Sequence, residues 1–219
     1  MSSSRWERFA PLSGVVFFVL IAVSFGLSND TPDTDSSTVD TVSYWSAHDT
    51  RLIVAAIIST FAVIFLIWFA GSLRSALLQA EGGQGRLSML AFAGILTIAI
   101  SGGIASALEF TVADTVNDVP ATVTQTLSVL SEDFFLPFVA GGVVLLLASG
   151  LAALRFGALP RWLGWASIAI AILSVAGPAG FIGFLLTIIW VLVVSIVLYT
   201  QGAQASATPA AESPAPPTP

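Results

Sequence analysis

The side chains best equipped for chemistry in this sequence are His48, Asp49, Arg51, Glu109, Glu132 and Asp133. His48 is the sole histidine, and an imidazole beside Asp49 changes charge close to neutral pH. As a metal ligand it would need carboxylates recruited from other segments, a weak donor set beside a spaced His and Cys motif. A solvated helix cap is the simpler role for His48 and Asp49. No serine elbow accompanies His48, so a Ser-His-Asp arrangement cannot be drawn. Arg51 and Glu109 invite a different reading. The separation from Arg51 to Arg74 equals that from Arg86 to Glu109. Two antiparallel helices, each climbing about 35 Å over that distance, bring Arg51 level with Glu109 and Arg74 level with Arg86. An Arg51–Glu109 ion pair is therefore predicted, satisfying two charges that neither apolar flank would tolerate alone. Together the named residues form a candidate polar cluster on one face of the protein.

Much chemistry is excluded outright. The chain has no cysteine and no lysine, which removes thiolate metal sites, catalytic thiols, Schiff bases and the lysine of a phosphate-binding loop. Gly82, Gly83 and Gly85, in the segment EGGQGR, follow no strand and are read as a tight turn. No basic or aromatic surface suits nucleic acid. No cofactor, metal or catalytic residue is predicted, and protein partners are not legible.

The elements that must position these residues follow from composition. Of 219 residues, 56% are hydrophobic and 9% charged, and the mean hydropathy is +0.93. Soluble domains carry about 25% charged residues, so too few charges exist here to cover a water-facing surface. The fold class predicted is all-α, a polytopic transmembrane bundle with the lipid bilayer as its first partner. A span needs about 20 apolar residues, and the charge-free runs supply spans at about 9–28, 51–73, 87–109 and 134–154. Trp162 to Tyr199 as one helix would extend about 57 Å. Gly177, Pro178, Ala179 and Gly180 cut it into spans at about 161–176 and 180–199. Six spans make one domain, 1–200, followed by a disordered Pro/Ala-rich tail, 201–219. Arg5 and Arg8 ahead of an apolar run also fit a cleaved signal peptide, which would leave five spans; an uncleaved first helix is the reading adopted.

Arginine positions orient the bundle. Arg5, Arg8, Arg74, Arg86, Arg155 and Arg161 fall on one side of a six-span chain, the cytoplasmic side by the positive-inside rule. Both termini are then cytoplasmic in a multi-pass protein of the cell membrane, and the inner arginines are placed to attract anionic lipid headgroups. Asp30, Asp33, Asp35, Asp40, Asp49, Glu109, Asp114, Asp118, Glu132 and Asp133 fall outside. Trp6, Trp68, Trp162, Trp165 and Tyr199 are expected as inner aromatic anchors, Tyr44 and Trp45 as outer ones. The loop from Ser28 to Ala47, rich in Ser, Thr and Asp, is expected to be solvated and mobile. Val123, Leu127 and Leu130 recur at helical spacing, predicting a short helix that lies on the membrane or caps a cavity. Gly102, Gly103, Gly141, Gly142, Ser149 and Gly150 let helices approach closely or widen a cavity.

Phe69 to Arg74, Glu81 to Ser88 (EGGQGRLS), Gly157 to Trp165 (GALPRWLGW) and Trp190 to Ser195 resemble stretches of uncharacterised multi-span membrane proteins of actinobacteria. The resemblance covers roughly Thr50 to Tyr199. It implies a helical membrane fold and carries no activity or site residue. The functional expectation is an integral plasma-membrane protein with a non-enzymatic envelope, sensing or accessory role. The alternatives are a small-solute or ion permease and an integral membrane enzyme acting at the outer interface. A polar, water-reachable cavity near mid-membrane would favour transport; a tightly packed bundle would favour the accessory role.

Overall fold

A computed structural model of the chain describes residues 9–28, 31–32, 35–83, 85–176 and 180–207. Among them there are helices and no strands. A 3₁₀ turn, Ala10–Leu12, leads into α1 (Ser13–Leu27), followed by α2 (Thr38–Ala80), α3 (Arg86–Thr115), α4 (Ala121–Asp133), α5 (Phe135–Phe156), α6 (Arg161–Ser174) and α7 (Gly180–Ala207). Five segments are long and apolar enough to cross a membrane, and α6 is a shorter apolar helix. The architecture is the all-α membrane bundle that the composition requires. Trp68, Leu136 and Trp165 stand 53%, 69% and 66% exposed, large apolar surfaces that hydrocarbon accepts and water does not.

The helix ends follow local chemistry. Gly82 and Gly83 both take positive φ after Ala80, a conformation that ends α2 and suits glycine. Pro137 falls in the first turn of α5, where its missing N–H costs nothing. Pro160 precedes α6, and Gly157, at φ 69°, closes α5. The turn expected at 177–179 lies outside the described residues, as do Arg5, Trp6, Arg8, Asp30 and Asp33.

Two boundaries differ from expectation. The loop from Ser28 to Ala47 is helical from Thr38 onward, because Ser37 and Asp40 form a reciprocal cap. The Asp40 amide donates to the Ser37 hydroxyl at 3.2 Å, and that hydroxyl donates to the Asp40 carboxylate at 2.6 Å. His48 and Asp49 therefore sit inside α2 and not at its start. At 43 residues, α2 is about 65 Å long, and Thr38 to Thr50 carry it about 18 Å beyond a span beginning at Arg51. Trp45 is 3% exposed, packed with Leu52, Val112, Ala113 and Val116. It is a core residue and not an outer anchor. The segment expected as tail is helical as far as Ala207; 208–219 lie outside the described residues.

Helix contacts run α1 on α2, α2 on α3, α3 on α5, and α5 on α6. In hydrocarbon such contacts rest on dispersion and close backbone approach, since lipid tails are as apolar as leucine. A Cβ on Gly94 would meet the Leu145 backbone nitrogen at 2.6 Å, and one on Gly141 the Gly94 carbonyl at 2.7 Å. Gly150 packs equally close to the Gly164 carbonyl, whereas nothing lies within 4 Å of a Cβ on Gly103. The crossing of α3 and α5 is thus built on Gly94 and Gly141, the former missed in the sequence.

The sense of α6 is set by its neighbours. Its first residues follow Gly157 at the end that holds Arg155 and Arg161, while a Cβ on Gly183 of α7 would strike Ser174 at its far end. From there α7 returns. Phe184 packs on Phe25 and Phe138, and Ser195 donates to the Pro11 carbonyl. With 14 residues, α6 reaches about 21 Å, and its far end meets the start of α7. The bundle accordingly has an arginine end and an acidic end.

Candidate binding crevice

A crevice of about 830 Å³ occupies the acidic half of the bundle, bounded by α1, α2, α3, α4, α5 and α7. Along α2 its wall runs from Trp45 to Leu66, about 31 Å, and along α3 from Glu109 down to Ile98, about 16 Å. Its floor is Phe17, Leu66 and Ile98, which belong to the main core. Below them Phe69, Leu73 and Leu77 are fully enclosed, so the arginine half is solid.

Three features define the wall. The first is a set of carboxylates near the mouth: Glu109 from α3, and Glu132 and Asp133 from the end of α4. Among the described residues no arginine lines the wall. The second is a series of serines whose hydroxyl protons are spent on backbone. Ser101 donates to the Thr97 carbonyl at 2.8 Å, Ser106 to Gly102 at 2.9 Å and Ser131 to Ser128 at 2.7 Å. A hydroxyl has one proton and two lone pairs. These serines therefore offer a ligand acceptors and no donor. Ser24 is occupied further, bonding the Ala55 carbonyl at 3.0 Å and the Ser59 hydroxyl at 2.7 Å, which ties α1 to α2 along one side.

The third feature is aromatic. Phe184 of α7 has ring centroids of Phe138, Phe135, Phe181 and Phe25 at 4.5, 5.5, 5.9 and 6.1 Å, and all five rings line the crevice. Rings from α1, α5 and α7 thus close the side where those helices diverge. Periodicity could not find this group, because its members come from three segments far apart in sequence.

The mouth is held by an extension that composition concealed. α4 forms in the expected segment, but Val123 and Leu130 are exposed and its Ser128, Ser131, Glu132 and Asp133 line the crevice. The Trp45 indole N–H donates to the Ser128 hydroxyl at 3.3 Å, Thr38 donates to the Gln125 side chain, and the Gln125 amide donates to the Ser36 carbonyl at 3.3 Å. These bonds clamp α4 to the projecting start of α2, which places Glu132 and Asp133 at the rim.

The sequence-predicted cluster is divided by this geometry. Glu109, Glu132 and Asp133 share the crevice. His48 faces its own helix, its Nδ1 2.9 Å from the Tyr44 carbonyl and its ring 4.8 Å from that of Tyr44. The Asp49 carboxylate accepts from the Thr50 amide and hydroxyl. Arg51 is half-buried on α2 beside Leu52. Gly102 lines the crevice, fulfilling the cavity-widening role weighed for it, while Gly141 and Gly150 are packing residues. Among the described residues no group of three His, Cys, Asp or Glu is close enough to hold a metal ion.

A bundle with five helices long and apolar enough to cross a bilayer defines a multi-pass helical membrane protein. Beyond that class, comparison with protein-family models, with curated proteins and with solved structures yields no match.

Proposed function

We propose that this protein binds a small amphiphilic molecule in the crevice, in a sensing or accessory role, with the acidic end outside the cell and the arginine end in the cytoplasm. The supporting observation is the crevice itself: its 830 Å³ is within the 300–1,000 Å³ range of small-molecule sites. Arg74, Arg86, Arg155 and Arg161 are exposed at the opposite end, the side that the positive-inside rule assigns to the cytoplasm and where anionic headgroups would be received. We also retain the Arg51–Glu109 ion pair as a proposal, on the equal separations of Arg51 from Arg74 along α2 and of Arg86 from Glu109 along α3.

A permease is the second reading, favoured by the depth of the crevice, which descends to Leu66 and Ile98. Transport requires that the arginine end open in its turn. Because the chain lacks cysteine, Ser101→Cys introduces a unique thiol low in the crevice. In intact cells and in sealed vesicles of opposite orientation, a membrane-impermeant thiol reagent is expected to modify it from the acidic side alone. Modification from both sides would replace the binding role with alternating access, and modification from the arginine side alone would reverse the orientation.

A further inference from the structure

The wall chemistry specifies the occupant more closely. Resting on the crevice reading above, we propose that the ligand is an uncharged lipid with a hydroxylated head, its chain against the Phe184 ring cluster and its head between Ser106 and Ser131.

The position of the crevice points to a lipid. From Glu109 to Ile98 its wall descends about 16 Å along α3, half of a hydrocarbon core about 30 Å thick and so the depth of one leaflet. Among the described residues α1 and α5 are not packed on one another, so the side between them is sealed by rings. Two of those rings, Phe25 and Phe181, line the crevice yet stand 43% and 60% exposed. That side gives onto hydrocarbon, from which a chain can enter without crossing water, and the floor of Phe17, Leu66 and Ile98 receives it.

The head follows from the polar atoms. Arg51 and Glu132 have partners of their own, Glu109 is assigned to Arg51 above, and Asp133 is exposed to water. No charge within the crevice is therefore reserved for an ion, and a charged head would lose water there without a counter-charge. What the wall offers is lone pairs. Ser106 and Ser131, and Ser101 below them, give their protons to backbone carbonyls, so each meets a ligand as an acceptor. A hydroxyl supplies the donor. Because it also accepts, it fits beside an ion pair from either side, whichever partners Glu109 and Glu132 take.

Four probes with closely similar chains separate head from chain: glycerol monooleate, methyl oleate, oleyl sulfate and oleyltrimethylammonium. In a chain without cysteine, Ala105→Cys places a unique thiol on the crevice wall and leaves the proposed acceptors in place. Its modification by the neutral reagent N-ethylmaleimide is followed in full-length protein in phosphatidylcholine vesicles, with Thr126→Cys on the exposed face of α4 as control. Glycerol monooleate is expected to slow modification of Ala105→Cys and leave Thr126→Cys unchanged. Either ion should need at least about tenfold more, the effect of one uncompensated charge in a partly desolvated site, and methyl oleate several-fold more. In the Ala105→Cys background, Ser131→Ala should raise the half-protecting mole fraction of glycerol monooleate about threefold, the loss of one hydrogen bond, and leave that of methyl oleate unchanged. Protection by either ion or by methyl oleate equal to that by glycerol monooleate overturns the assignment while the crevice stands. An equal response of the two esters to Ser131→Ala, or free modification with no protection by glycerol monooleate, does the same. An Ala105→Cys thiol that reacts only after denaturation removes the crevice reading itself, and the lipid with it.

Discussion

Glu81 belongs to the glycine turn between α2 and α3, yet it is only 8% exposed. Its carboxylate accepts from the Leu87 amide at 3.0 Å and the Ser88 amide at 2.6 Å. These are first-turn N–H groups of α3, which have no partner within the helix, and a carboxylate there also meets the positive end of the helix dipole. Hydrogen bonds to a charged acceptor contribute about 1.5–3 kcal/mol each. In Glu81→Ala the half-buried Leu87 amide recovers part of this from water, whereas the Ser88 amide is buried, so the expected loss is about 3 kcal/mol. At about 2–4 °C per kcal/mol for a chain of this size, the melting temperature should fall by roughly 6–12 °C, read from tryptophan fluorescence in detergent. Glu81→Gln keeps one acceptor oxygen and turns an NH₂ toward the second amide, and should fall by about half as much. A fall below about 2 °C for the alanine variant would refute the capping role. An unchanged glutamine variant beside a destabilised alanine variant would assign the effect to packing. Neither substitution should alter protection of a thiol in the crevice, which lies at the other end.

The remaining predictions concern packing and charge. Gly141→Ala forces a methyl against the Gly94 carbonyl and should cost about 1–3 kcal/mol, while Gly103→Ala, in open space on α3, should be neutral or stabilising by up to about 1 kcal/mol; equal effects on thermal denaturation would contradict the crossing. The Ser149 hydroxyl is buried without a partner, so Ser149→Ala should leave stability unchanged or raise it by about 1 kcal/mol. Ser167→Ala strands the buried Trp190 indole N–H that now donates to it at 2.8 Å and should cost about 1–3 kcal/mol, and the opposite order of these two serines would overturn the assignment. For the proposed Arg51–Glu109 pair, Arg51→Ala and Glu109→Ala should be less costly together than the sum of their single effects by at least about 0.5 kcal/mol; strict additivity in a double-mutant cycle would remove the pair.

What the sequence disclosed and what it hid divide along a physical line. Spans were legible because burial in hydrocarbon acts on every residue of a segment, and a charge-free run such as Leu52 to Leu73 has few other uses. The start of α2 was concealed because a Ser-, Thr- and Asp-rich composition outweighed two local signals: the Ser37 and Asp40 cap, and Val42, Trp45 and Leu52 on one helical face. That error propagated to the site. With Thr38 to Thr50 treated as a solvated loop, His48 and Asp49 looked like a helix cap in one exposed cluster with Glu109. Once the segment is helical, each residue advances the angle by about 100°, and the cluster is divided between the crevice and other faces. Glu132 and Asp133 were legible as outward-facing acids, but their meeting with Glu109 depends on α4 being clamped to that hidden extension by Trp45, Gln125 and Thr38. The serines were the least legible of all, since a mid-span serine bonded to its own helix resembles packing whether it faces a neighbour or a void. Only the relative placement of helices tells Ser149, sealed in the core, from Ser101, open to the crevice. The proposed ligand site therefore lies in a crevice bounded by six helices, an absence of packing that no residue's own type encodes.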